Sequence, residues 1–102
     1  MAIAQQLVSN SATTIYTSSG NSATTVIFFM NDDASARTLD VYVVPNGGSA
    51  GTSTQIIKNL SIDAADTYIL NIEKIVLSNG DTIQATASAI NSIYATVSYV
   101  GI

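Results

Sequence analysis

Seven carboxylates are the side chains in this 102-residue chain suited to acid–base work near neutral pH, because it has neither His nor Cys. Their spacing argues against a catalytic pair. Asp32 and Asp33 are adjacent, so on an extended strand they point to opposite sides. A turn held by Asx hydrogen bonds is their expected role. Asp63 and Asp66 bracket Ala64-Ala65 as a tight connection between strands would, and Asn79-Gly80-Asp81 reads as a hairpin-type turn. No EF-hand or repeated spacing links these oxygens, so no calcium site is expected. The hydroxyls lack the base that would activate a nucleophile, and a Ser–Lys arrangement with Lys58 or Lys74 has no motif behind it. Pro45-Asn46-Gly47-Gly48 has the glycines of a phosphate loop but not the following Lys or the helix. The chain is therefore expected to have no enzymatic activity, no catalytic residues, no metal ligands and no cofactor.

What remains is contact chemistry. Aromatic side chains add contact area at small entropic cost, and the chain has five Tyr and no Trp. Tyr68 and Tyr99 are in phase with apolar neighbours and are expected in the core or at its boundary. Tyr42 and Tyr94 are out of phase with the apolar faces of their strands. With Asn46, Gly47 and Gly48, they are the candidate partner-contact residues. The Gly-, Ser- and Thr-rich loop Asn46–Thr54 is the segment expected to move or to touch a neighbour. Tyr42, Tyr94 and this loop are also the residues a carbohydrate-binding module would use.

Composition narrows the partners. The net charge is −4 and the only cations are Arg37, Lys58 and Lys74, too few for a phosphate-binding face, so no nucleic acid is expected. The longest strongly apolar stretch, Val26–Met30, is far too short to span a bilayer, and the first six residues lack the pattern of a signal peptide. A soluble chain with no membrane partner is expected. Charged residues make up 10% of the chain, against about 25% in an average globular protein, and Ser, Thr and Asn take their places. Such short side chains lose little rotamer freedom when a contact immobilises them.

These residues must be positioned by strands. About a third of the chain is Ile, Val or Thr, which are stiff at χ1 and fit a pleated surface. Turn signals recur about every 8–12 residues, as in a sandwich or barrel. The expected strands are Gln6–Ser9, Thr13–Thr17, Ala23–Asn31, Thr38–Val44, Thr54–Ile62, Thr67–Ile72, Asp81–Ala87 and Ser92–Val100. Ala23–Asn31 is apolar on both faces, which predicts a central strand covered on both sides. Glu73–Leu77 is the best helix candidate and supplies one turn at most. Without helical crossovers the strands should be antiparallel. The reading is one domain, residues 1–102: an antiparallel β-sandwich, jelly-roll-like or Ig-like, of about eight strands.

Several strings carry a resemblance. Ile15-Tyr16-Thr17-Ser18-Ser19-Gly20, Val41-Tyr42-Val43-Val44-Pro45-Asn46-Gly47-Gly48 and Asp66-Thr67-Tyr68 resemble segments of small virion proteins of tailed bacteriophages, cyanophages included. So do Leu77-Ser78-Asn79-Gly80-Asp81-Thr82-Ile83-Gln84-Ala85 and Val97-Ser98-Tyr99-Val100. The likeness covers most of the chain as a pattern of strands and turns. It implies a β-sandwich structural protein made in the host cytoplasm and carried in many copies on the virion. That points first to a capsid decoration (cement) protein binding across capsid subunits, then to a collar, adaptor or tail component. The implied partners are the major capsid protein, or neck and tail proteins, together with further copies of the chain in a homo-oligomer.

Overall fold

Strict alternation of inward apolar and outward polar residues, as in Thr82–Ala87, produces strands that each bury one face. A computed structural model describes residues 2–70 and 74–102. Its strands are β1 (Ala2–Val8), β2 (Thr13–Thr17), β3 (Ser22–Asn31), β4 (Arg37–Val44), β5 (Gln55–Ile62), β6 (Thr67–Leu70), β7 (Val76–Leu77), β8 (Thr82–Ala87) and β9 (Ile93–Gly101). A 3₁₀ turn, Thr52–Thr54, lies in the loop before β5.

Two sheets form, and every strand pair is antiparallel. The first runs β1-β9-β3-β6, with β7 on β3; the second runs β2-β8-β4-β5. The chain passes repeatedly between the sheets, and β9 and β8 each fill the middle of one. This is the strand order of a jelly-roll sandwich, two Greek keys folded over one core. The core is made by Ile27 and Phe29 of β3, Ile93 and Val97 of β9, Leu39 of β4 and Ile83 of β8. Ala85, Ala87 and Ala95 are also buried, and their small side chains let the two inner layers approach. Among them the Tyr16 and Tyr99 rings lie 4.3 Å apart.

Both ends of the sandwich are laced by polar side chains. At one end Asn31, fully buried, donates to Ser35 O (3.0 Å) and Ile62 O (3.0 Å), while its Oδ1 accepts from Asp33 N–H. At the other end the Asp81 carboxylate accepts N–H from Asn46 and from Ser78, both at 2.9 Å. A hydroxyl relay crosses the interior there. Tyr16 O–H donates to Ser22 Oγ (2.9 Å), Ser22 and Ser18 share a bond of 2.6 Å, and Ser18 donates to Gly20 O (2.7 Å). Because Ser18 uses its proton on Gly20, Ser22 is the donor in the middle bond.

Three expectations need correction. β1 begins at Ala2, well before Gln6, because Ala2–Gln5 pair with Tyr99–Thr96 of the neighbouring strand in the first sheet, a partner no local pattern shows. Val76–Leu77 is a short strand on Ser22–Ala23, not part of a helical turn. β3 is central in its sheet but covered on one face only; Phe28 and Met30 face outward. The end of the sixth strand, Asn71 and Ile72, lies outside the described residues, as does Glu73.

Candidate contact surfaces

The outward positions of the first sheet form rows across four strands. Leu7, Tyr94, Met30 and Thr67 make one row, and Gln5, Thr96, Phe28 and Ile69 the next. Phe28 is 37% exposed, Met30 39%, Tyr94 40% and Ile69 48%. Ile3, Val76 and Val100 extend the apolar area and are exposed as well. Single exposed apolar residues are normal, but a contiguous patch of this kind marks an interaction surface. Beside Tyr94 lies a hollow of about 290 Å³, lined by Gln5, Gln6, Leu7, Tyr94, Ala95 and Thr96. No outward residue of β1, β9, β3 or β6 is charged. Lys74, at the rim, donates to Thr25 O at 3.0 Å.

The outward positions of the second sheet differ in kind. Thr14, Gln84, Tyr42 and Gln55 form one row, Thr17, Thr82 and Val44 another, and Thr86 pairs with Asp40. The amides are engaged: Gln84 Nε2 donates to Thr82 Oγ1 and Gln55 Nε2 to Ile57 O, both at 3.1 Å. Asp40 Oδ1 accepts from Asn59 N–H at 2.7 Å. Two apolar residues interrupt the polar surface: Ile56 on the edge strand β5 is 49% exposed, whereas Val44 is 1% exposed. The loop after β4 covers it; a Cβ on Gly48 would sit 3.4 Å from Val44 Cγ1.

The contact residues singled out from sequence therefore do not form one site. Tyr94 stands on the first sheet's outer face. Tyr42 stands on that of the second sheet, half-buried and flanked by Gln84 and Gln55. Asn46, Gly47 and Gly48 lie on the Tyr42 side, at the end tied by Asp81. A single sugar site built from Tyr42, Tyr94 and the 46–54 loop is not assembled. Sequence reasoning missed Phe28, Met30 and Ile69. The signal for Phe28 and Met30 is the double-faced greasiness of 23–31, which predicts cover on both sides; Ile69 has no such signal.

An apolar groove of about 510 Å³ opens at the seam between β5 and β6, over Val43, Ile57, Tyr68, Leu70 and Ile75. Among the described residues there is no group of three or more His, Cys, Asp or Glu that could hold a metal. No helix of theirs is long and apolar enough to cross a membrane. Arg37 pairs with Asp33 at 2.7 Å. That hydrogen bond, helped by one from Ala34 N–H, holds the Asp33 carboxyl below its ordinary range.

The chain matches no protein-family model, no curated protein and no solved structure.

Proposed function

We propose that this chain is a structural protein of a bacteriophage virion, a capsid decoration protein that binds across adjacent capsid subunits and performs no chemistry of its own. The observation that supports it best is the outer face of the first sheet. Tyr94, Met30, Phe28 and Ile69 stand bare side by side there, whereas Ile56 and Ile90 are exposed away from that face. Such a face lowers its free energy when a neighbour covers it, at about 25 cal/mol per Å² of apolar surface removed from water. The jelly-roll order, which viral capsid domains share, and the phage-like strings point the same way, as analogy. The mechanism is mechanical. Contacts repeated over many copies add buried area that resists expansion of the shell, and avidity makes weak single contacts sufficient.

The test is the copy number on purified particles, with a cryo-EM map to place the chain. Copies on the order of hundreds are expected for a closed shell. A total on the order of a dozen would move the chain to the collar, adaptor or tail. Absence from the particle would overturn the reading.

A second reading has its own observation. The hollow beside Tyr94 joins an exposed ring to the amide of Gln5 and the hydroxyl of Thr96, the combination a sugar stacks on and hydrogen-bonds to. Glycan-array binding that Tyr94→Ala abolishes would establish it; no detectable glycan affinity would end it.

A further inference from the structure

We propose that the outer face of the first sheet is closed by the same face of a second copy, making a two-fold symmetric, sheet-on-sheet dimer. The proposal deepens the reading of that face as a contact surface and names its occupant.

Three observations select a second copy. The first is charge. The protein carries −4 overall, yet every outward residue of β1, β9, β3 and β6 is uncharged. Among the described residues the carboxylates lie elsewhere: Asp32, Asp33, Asp63 and Asp66 at one end, Asp81 at the other, and Asp40 on the second sheet. Apart from Lys74 at the rim, two such faces bring no charges together, and a partner recognised by charge finds none on these four strands.

The second is shape. The hollow lies between β1 and β9, and the ridge of Phe28, Met30 and Ile69 lies on β3 and β6. A two-fold axis running along the strands, between β9 and β3, lays each β1 over the partner's β6 and each β9 over its β3. The ridge of each copy then faces the hollow of the other, as an isologous contact requires. Strand directions stay aligned, the usual geometry for two packed sheets.

The third is size. Nine residues of β9 span roughly 30 Å, and four strands at about 4.8 Å cover a face of roughly 500 Å² before side-chain relief is counted. Relief brings each copy toward the ~800 Å² of a standard interface.

Sedimentation of the native chain across the micromolar range is expected to show a dimer. Ile69→Lys, at an exposed position, is expected to give a folded monomer with unchanged strand content by circular dichroism. A second variant removes any ambiguity about folding. Leu7→Cys with Thr67→Cys puts thiols on opposite edges of the sheet, about 14 Å apart in one chain but facing each other across the dimer. A short bismaleimide should join two chains and leave the single variants uncoupled. A native chain that stays monomeric at 100 µM, roughly the weak limit for a self-contact of this size, overturns the dimer. A dimer that survives Ile69→Lys, or that fails to cross-link, overturns it too. If the chain is monomeric but Ile69→Lys abolishes its binding to intact particles, the dimer is wrong while the contact-surface reading stands. If the variant changes neither association nor particle binding, both fail.

Discussion

The two outer faces are built on the same scaffold by opposite means. Each belongs to a four-strand path with a late strand at its centre, and each carries one outward tyrosine near the middle. On the second sheet Tyr42 sits between Gln84 and Gln55, whose amides already have partners, and Val44 is roofed by the chain's own loop, so the exposed apolar residue of that sheet is Ile56 on its edge strand. On the first sheet Tyr94 sits among Leu7, Met30 and Phe28 with no roof. One face is finished by intramolecular contacts and the other is not. The difference lies in side chains and a loop, and also in regularity, since the register shifts three times in the second sheet and once in the first. A sandwich can therefore present a finished surface and a contact surface while its core stays the same.

Substitutions can break or sharpen this contrast. The largest effect should come from comparing neighbours on β3. Phe29→Ala, in the core, is expected to cost about 3–5 kcal/mol in chemical denaturation. Phe28→Ala, measured in dilute protein, should cost less than about 1 kcal/mol. Equal costs would mean that the outer face is not bare. Next come the two outward apolar residues. Val44→Ala should cost about 1–2 kcal/mol because the loop covers it. Met30→Ala should stay within about 0.5 kcal/mol. A cheap Val44→Ala would remove the roof from the argument.

The roof itself depends on the turn below it. Gly80 has φ of 86°, and a Cβ there would meet the Asn46 side chain at 2.6 Å. Gly80→Val should therefore lower stability by about 1 kcal/mol or more and expose Val44. An unchanged melting temperature would contradict this. The smallest effect belongs to neither face. The Arg37 hydrogen bond lowers the folded-state affinity of Asp33 for a proton, so its stabilisation is present above the ordinary Asp value of about 3.9. It is lost as pH falls through the lower folded value. The melting temperatures of native protein and Asp33→Asn should converge in acid and separate slightly toward neutrality.

Much of the scaffold was legible because alternation with a period of two is a local signal. Leu39, Val41, Ile83 and Ala85 face inward as their spacing requires, and Gly80 has the positive φ its turn predicts. Strand order was not legible. Nothing near Ala2 says that its partner is Tyr99, because that pairing is decided by the closure of the whole sheet. The bare apolar face was half legible. Tyr94 announced itself by phase, whereas Phe28 and Met30 did not. An apolar run reads the same whether its own chain or another chain covers it. Val44 shows the converse, an outward residue buried by a loop whose path no periodicity encodes.

The strand order also bears on how fast the molecule can be made. The centre of the first sheet is filled by β9 and that of the second by β8, so residues 82–101 insert between strands synthesised much earlier. Until they arrive, β1 has no neighbour in its sheet and β2 none in its own. Folding must therefore wait for pairings that join the two ends of the sequence. Chains dominated by such distant pairings fold in roughly milliseconds to seconds. A nascent chain halted before residue 82 would hold two sheets with their middles missing. The step that completes both is the same step that first assembles the bare face.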